Sequence, residues 1–270
     1  VRRQRQMCIR DRLYSAKTYD SAKHASKYAI NVSEVSFDLS KIIVRKSKVV
    51  RKLVLGVKAK LASNNVAIVS GEAQIIDKNT VRCGEETYEG ENLILCTGSE
   101  TFIPPIPGVE TVNYWTHRDA LDNKELPASL AIVGGGVIGM EFASFFNSLG
   151  VQVTVVEMLD EILGGMDKEL SALLRAEYAK RGIKFLLSTK VVGLSQTEGG
   201  AVVSYENAEG SGNVVAEKLL MSVGRRPVTK GFGLENLNLE KTERGAVKVD
   251  EKMQTSVPGV YVCGDLTGFS

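Results

Sequence analysis

The residues of this chain best placed to do chemistry together are three glycines and a carboxylate. Gly134, Gly136 and Gly139 stand in the run Gly134-Gly135-Gly136-Val137-Ile138-Gly139, and Glu157 follows eighteen positions after the last of them. Each glycine has its own task in a turn that meets a pyrophosphate: Gly134 makes the tight bend, Gly136 lets the backbone approach the phosphates, and Gly139 lets a helix pack closely on the preceding strand. The phosphates then rest on N–H groups that the first turn of a helix leaves without partners. A carboxylate at the end of the next strand accepts hydrogen bonds from both ribose hydroxyls and repels a 2′-phosphate, so Glu157 predicts NAD rather than NADP. The alternative for the same run is a glycine turn in a ligand-free α/β domain.

Such a turn needs strand, helix and strand around it, and the sequence supplies them. Leu130-Ala131-Ile132-Val133 is an apolar run entering the glycines, an amphipathic segment follows, and a second β-branched run ends at Glu157. Residues 167–182 predict a helix with Asp167 and Glu169 at its start, an apolar face of Leu170, Leu173, Leu174 and Tyr178, and an end at Lys180-Arg181-Gly182. Residues 183–187 predict the next strand. A β-meander is expected after it, with strands near 190–194, 201–206 and 213–222, a turn at 209–212, and a close at Gly224-Arg225-Arg226-Pro227.

Upstream, residues 13–28 and 45–63 predict helices, the second with Val49, Val50, Leu53, Val54, Val57 and Leu61 on one face and Gly56 weakening it. Residues 66–77 predict a strand, Asp77-Lys78-Asn79 a turn, and the chain around Val81 a return strand. Residues 92–96 predict a buried strand running into Thr97-Gly98-Ser99. Pro104, Pro105 and Pro107 then predict extended chain between two bodies, with a boundary near 104–126. Residues 245–263 predict two more strands before Gly264-Asp265.

The length of 270 residues suits two domains, and 43% hydrophobic with 24% charged residues is ordinary globular composition. No apolar run approaches the roughly 20 residues of a membrane span, and no secretory signal is read, so a cytoplasmic location is expected. The net charge of +2 is misleading, because residues 1–12 hold five arginines and one aspartate. Without them the chain is acidic, which excludes the basic field of a nucleic-acid binder. That arginine-rich start has no apolar periodicity, and MCIRDR resembles a translated cloning adapter. It is expected to be a non-native leader outside the fold, with a disordered basic arm as the alternative. Cys8, Cys83, Cys96 and Cys263 show no CxxC spacing and match no histidine cluster, so no metal site is expected. Cys96 and Cys263 end apolar runs and are expected to be buried small hydrophobes, and His24 and His117 surface residues.

Several separated motifs agree on one family. LYSAK near the start, ILCTGSE, FIPPIPG, GGGVIGMEFAS, VTVVEM, SVGRRP and VPGVYVCGDLTG stand in an order and spacing that resemble the pyridine-nucleotide disulfide oxidoreductases, and among them most closely the dihydrolipoyl dehydrogenases. The resemblance covers residues 13–270. It implies an α/β chain of two Rossmann-like nucleotide-binding domains, three-layered with a β-meander in each. An FAD domain, incomplete here, would take residues 13–119 and 241–270, with an NAD domain, residues 120–240, inserted between.

By the same resemblance Gly134, Gly135, Gly136, Val137, Ile138, Gly139, Met140 and Glu141 would bind NAD with Glu157, Glu141 lying toward the nicotinamide. Val191 would contact the adenine side and Gly224 the nicotinamide side. Gly71, Thr97, Gly98, Ser99 and Asp265 would serve FAD, Asp265 through a ribityl hydroxyl. Each has a plainer reading: Glu141 a solvated helix residue, Val191 a core strand residue, Ser99 a turn former, Asp265 a cap. The resemblance also implies a homodimer associating with lipoyl-bearing 2-oxo acid dehydrogenase or glycine cleavage components.

The family's first glycine fingerprint, its CxxxxC pair and its dimer domain with a catalytic His and Glu are not found in these residues. The expectation is therefore an internal piece of such an enzyme, inactive by itself. Mercuric reductase, glutathione reductase or NADH oxidase chemistry on the same fold, or a non-catalytic NAD-binding module, are the alternatives.

Overall fold

The computed structural model describes the backbone of residues 2–268 and the side chains of residues 6–268. The chain opens with helices α1 (Arg2–Lys23) and α2 (Leu39–Ser63), then strands β1 (Ala73–Ile75), β2 (Thr80–Cys83), β3 (Glu86–Glu89), β4 (Leu93–Leu95) and β5 (Ser99–Thr101). Next come β6 (Tyr114–Trp115), α3 (His117–Asp122), β7 (Ser129–Val133), α4 (Val137–Ser148), β8 (Gln152–Val156), α5 (Lys168–Lys180) and β9 (Lys184–Leu186). The remainder is β10 (Lys190–Thr197), β11 (Gly200–Asn207), β12 (Gly210–Ala216), β13 (Lys218–Met221), β14 (Arg225–Pro227) and β15 (Val260–Val262). Among the described residues no helix is long and apolar enough to cross a membrane.

Two compact units divide these elements. One takes residues 4–51 with 102–224, and the other residues 52–101 with the chain from Arg225 onward. The first is built on a parallel sheet ordered β6-β13-β7-β8-β9. Successive side chains of a strand point to opposite faces, and both faces of this sheet are covered. Leu130 and Ile132 of β7, Val153 and Val155 of β8 and Leu220 of β13 face a layer led by Phe142, Phe145 and Phe146 of α4. Ala131, Val133, Val156, Leu219 and Met221 face the opposite way, onto Leu194, Ala201, Val203 and Ala216 of the antiparallel meander β10-β11-β12. The result is helix, sheet and meander in three Rossmann-like layers, which explains why β7 reads as a continuous apolar run.

The third meander strand, expected over 213–222, is two elements. It breaks at Glu217, whose N–H donates to Ser129 Oγ (3.0 Å) and whose carboxylate accepts from Ala128 N–H (2.7 Å). Beyond that hinge β13 leaves the meander and inserts between β6 and β7. On α5 the expected apolar face is also displaced: Leu170 and Leu173 are 68% and 62% exposed, while Ser171, Leu174 and Tyr178 turn inward. Val57 of α2 is likewise exposed, and Gly56 lies within an uninterrupted helix.

The expectation that residues 1–12 lie outside the fold is not met for those whose packing is described. They continue one helix into 13–23, and Ile9 and Arg12 are each 1% exposed, in or against the core beneath α4. Arg12 caps the carboxyl end of α3, donating to Ala120 O (3.1 Å) and to Leu121 O, with its guanidinium 5.2 Å from the Phe145 ring centroid. Burial lowers its pKa to about 10, against the pull of Asp122 in the other direction. Lys46 of α2 also donates to Leu121 O (3.1 Å) and pairs with Asp122. A buried guanidinium with carbonyl partners occupies a core position that a hydrophobic pattern scores as polar. These bonds tie residues 4–51 to the parallel-sheet unit, and Val109, Val112 and the Leu194 N–H bond to Pro107 O (2.8 Å) tie the chain before α3 to it, so the break falls at residue 101 rather than within 104–126.

The second unit carries its own antiparallel meander, β1-β2-β3, a parallel pair β4-β15 and an antiparallel pair β5-β14. Ile75, Leu95, Leu234, Leu237, Val247, Val260, Val262 and Leu266 form its core. The strand expected over 66–77 contracts to β1, leaving Val66, Ile68 and Val69 about half exposed. Within 245–263 only β15 is a strand, accompanied by isolated bridges at Lys241↔Val247 and Gln254↔Tyr261. Cys96 and Cys263, expected to be buried, are exposed, because each follows a buried residue by one position on its strand.

Candidate functional site

The glycine turn lies between β7 and α4, and each glycine is distinguished by what a side chain would meet there. Gly134 has φ +105°, and a Cβ on it would stand 2.3 Å from Ser222 O, the residue after β13. A Cβ on Gly139 would stand 2.3 Å from Gly134 O, so the helix sits on the turn with no room for a methyl group. At Gly136 the same test finds nothing within 4 Å. Gly136 is also the N-cap of α4 and gives it no side-chain cap, so nothing on its own side chain satisfies the N–H groups of the first turn. The macrodipole and these N–H groups favour an anion at that position. Val137 is 51% exposed beside it, Ile138 is half-buried, and Met140 is buried at 2%.

Glu157 follows β8 and is turned back onto the glycines. Its Oε2 accepts from Gly135 N–H at 2.5 Å and its Oε1 from Leu159 N–H at 2.7 Å. Gly135 permits this approach, since a Cβ there would be 3.1 Å from Oε2 and 3.2 Å from Ile162 Cγ2. The carboxylate is half-buried, and each oxygen keeps a further lone pair for another donor. The segment after Glu157 clamps the same turn: Leu163 N–H donates to Gly135 O (2.9 Å) and Ile162 is 1% exposed. A bidentate pair from Arg175 of α5 to Glu161 (2.8 and 2.9 Å) fixes this segment. Hydrogen bonding to Arg175 holds the Glu161 carboxyl below its usual range, and the same bonds raise the guanidinium. Glu161, Ile162 and Arg175 are positioning residues that pattern reading missed, because the only sequence signal is an acid and an arginine fourteen positions apart.

Other expected contacts fall at varying distances from this turn. Thr189 N–H donates to Glu157 O (2.9 Å) and Ser188 N–H to Leu159 O (2.8 Å), which brings the start of β10, with Val191, to the Glu157 end of the sheet. Val191 is half-buried against the meander core, beside a register shift between Val191 and Gly193. Glu141 is half-buried on α4, one residue after Met140, whose N–H bonds to Gly136 O (2.9 Å). Gly224 is exposed at φ +113°, and its carbonyl accepts from Phe102 N–H (3.1 Å).

In the second unit the structure joins residues far apart in sequence. Ser99 Oγ donates to Asp265 Oδ2 (2.5 Å), Arg225 Nε–H donates to Ser99 Oγ (2.8 Å), and a second Arg225 nitrogen donates to Ser99 O. Asp265 is 7% exposed and opens a short 3-10 turn after β15. Thr97 Oγ1 donates to Val228 O (3.0 Å), and Val228 N–H to Gly98 O (3.0 Å), so the Thr97-Gly98-Ser99 turn is tied to the chain after β14. Gly71 lies instead against the meander, where a Cβ would be 2.6 Å from Cys83 Sγ. Arg225 is the member of this cluster that sequence reasoning overlooked, although it stands in the quoted GRRP. The Asp265 carboxylate is thus held at a strand end by Ser99, which Arg225 holds in turn.

The family model described as pyridine nucleotide-disulphide oxidoreductase matches residues 4–269. A dihydrolipoyl dehydrogenase of Acholeplasma laidlawii is 39% identical over 261 residues, covering 95% of this chain and 76% of the relative. The enzyme of the same name from Geobacillus stearothermophilus is 35% identical over 253 residues, covering 92% of this chain and 53% of the relative. An HOCl-induced flavoprotein disulfide reductase from Escherichia coli shares the fold with a TM-score of 0.83 at 28% identity, covering 98% of this chain and 57% of that one. The chain thus spans about half the length of several of its relatives.

Proposed function

Because the chain belongs to the pyridine nucleotide-disulphide oxidoreductase family, we propose that it is the nucleotide-binding part of an NAD-linked, FAD-containing dihydrolipoyl dehydrogenase, which oxidises dihydrolipoamide and reduces NAD. The observation that carries the choice of NAD is the Glu157 carboxylate held on the glycine turn through Gly135 N–H. Bound NAD supplies the hydride acceptor, and bound FAD the carrier between dithiol and nicotinamide. The chain's residues do the holding. Gly136 and the first turn of α4 receive the pyrophosphate, Glu157 accepts from the adenosine ribose, and Val191 and Gly224 border the two ends. Ser99, Arg225 and Asp265 present an acceptor to a flavin ribityl hydroxyl, with Thr97 and Gly98 shaping the turn.

The parent enzyme on this reading is a homodimer that serves lipoyl-bearing 2-oxo acid dehydrogenase or glycine cleavage components. A second reading, reduction of a different disulfide on the same scaffold, is favoured by the likeness to the Escherichia coli flavoprotein disulfide reductase. It keeps every nucleotide role above.

The test is a calorimetric titration of the whole chain with NADH and NADPH. NADH should bind more tightly. Losing a hydrogen bond to a charged group costs on the order of 1.5 to 3 kcal/mol, so Glu157→Ala should cut the NADH preference roughly tenfold to a hundredfold. Because Glu157 also ties down the turn, the ratio of the two affinities is the diagnostic quantity. Equal affinities before substitution, or a ratio unmoved by it, would exclude the role given to Glu157.

A further inference from the structure

The peptide of Gly135 is held from both sides. Its N–H meets the Glu157 carboxylate at 2.5 Å, and its carbonyl accepts from Leu163 N–H at 2.9 Å. Leu163 makes that bond from a φ of +56°, a left-handed conformation that a residue with a Cβ rarely adopts and that persists only where its surroundings hold it. The contact therefore needs an anchor, and one stands two residues earlier. A single oxygen of the Glu161 carboxylate accepts both from Arg175 Nε–H (2.8 Å) and from Ile162 N–H (2.9 Å), so the guanidinium of α5 grips the backbone immediately before Leu163. The other oxygen accepts from a second Arg175 nitrogen (2.9 Å), which completes a two-point fork.

Resting on the reading that Glu157 selects NAD, we propose that Arg175 is a positioning residue for that selection. Through Glu161 and Leu163 it fixes where the Gly135 N–H stands, and hence where the Glu157 carboxylate points. Without the fork, Leu163 relaxes out of the left-handed region and its hold on the Gly135 carbonyl is lost. Glu157 then follows the shifted Gly135 N–H, and its remaining lone pairs no longer face the ribose hydroxyls. A ribose that carries a 2′-phosphate gains nothing from the aim of that carboxylate, so NADPH binding changes little and the preference for NADH narrows.

The same segment offers an internal control. Lys168, also on α5, pairs with Asp160 at 2.6 Å, but those side chains are 74% and 68% exposed, against 33% and 12% for Arg175 and Glu161. An ion pair in water holds its partners weakly, and Asp160 has no counterpart to the bond that ties Glu161 to Ile162 N–H. The sheltered pair therefore transmits to Gly135 and the exposed one does not.

The experiment titrates the full chain and its variants with NADH and with NADPH by calorimetry, well below their melting temperatures, and compares the ratio of the two affinities. Arg175→Met should lower that ratio roughly threefold to thirtyfold. Glu161→Gln should do the same from the other side of the pair, and the double variant should fall no further than Arg175→Met alone. Arg175→Lys keeps the charge without the fork, is the milder change, and should lie between the two. Lys168→Met should leave the ratio where it was. In a Glu157→Ala background, Arg175→Met should have no further effect on the ratio, because its influence passes through that carboxylate. Equal loss of NADH and NADPH affinity on Arg175→Met would mean a loosened turn and overturn the proposal, as would additive losses in either double variant. A preference that Glu157→Ala abolishes and Arg175→Met leaves intact would overturn this proposal alone. No preference in the unmodified chain would remove the reading beneath it, and the proposal with it.

Discussion

Substitutions in the glycine turn separate recognition from folding. A Cβ on Gly136 meets nothing within 4 Å and its φ is −70°, so Gly136→Ala should leave the melting temperature within a degree or two while weakening NADH binding at least tenfold. Gly134→Ala and Gly139→Ala each drive a carbon to 2.3 Å from a backbone oxygen, and Gly134 also holds φ +105°. Both should destabilise by about 2 kcal/mol or more, through the backbone shifts that overpacking forces. Thermal melts alongside NADH titration would check the contrast, and a Gly136→Ala protein that melts as low as the other two would contradict it. At this scale the sequence was informative where the reason for a residue is local. The three glycines and Glu157 announce themselves by spacing. What spacing hides is that Glu157 spends its carboxylate partly on Gly135 and Leu159, and that Ile162 and Arg175 stand behind it, since these contacts depend on how a loop folds back.

The helices tell a similar story about pattern and partner. The continuous burial of β7 was legible because both sheet faces are covered, whereas α5 misled because Leu170 and Leu173 have the spacing of a core stripe yet face outward. Helix α1 misled in the opposite direction, its buried position being filled by an arginine. Ile9→Ala should therefore lower stability by about 2 to 4 kcal/mol, measurable by urea denaturation. An unchanged midpoint would return residues 6–12 to the status of a passive leader.

The Glu161–Arg175 pair gives a pH signature. A carboxyl held below the usual glutamate range binds fewer protons folded than unfolded, so its contribution is complete above that range and is lost as pH falls through the depressed value. With Glu161 and Arg175 side chains 12% and 33% exposed, solvent screening limits the effect to about 1 kcal/mol. The stability gap between the unmodified chain and Glu161→Gln should be widest near neutrality and close in acid; a gap independent of pH would argue against the pair as its source.

For the molecule as a whole, the proposed chemistry demands a redox dithiol beside a flavin and a histidine acid/base, and these residues contain no CxxxxC. With NAD, added FAD and dihydrolipoamide, the chain should show no turnover above the background from free flavin, read as NADH absorbance; turnover above it would place a redox centre elsewhere in the chain. The overall architecture could be foreseen because strand, helix, strand, helix, strand runs unbroken from β7 to β9. The joining of Ser99, Arg225 and Asp265 could not, since nothing periodic links positions so far apart. Nor could the destination of β13, which has a temporal consequence. β7 is complete at residue 133, but its neighbour on one side is not finished until residue 221. At roughly 5 to 20 residues per second of synthesis, the intervening chain takes on the order of 4 to 20 s to make. For that interval the nascent β7 carries an open edge of unpaired amides on its most apolar strand, a natural docking place for a chaperone or for another nascent copy.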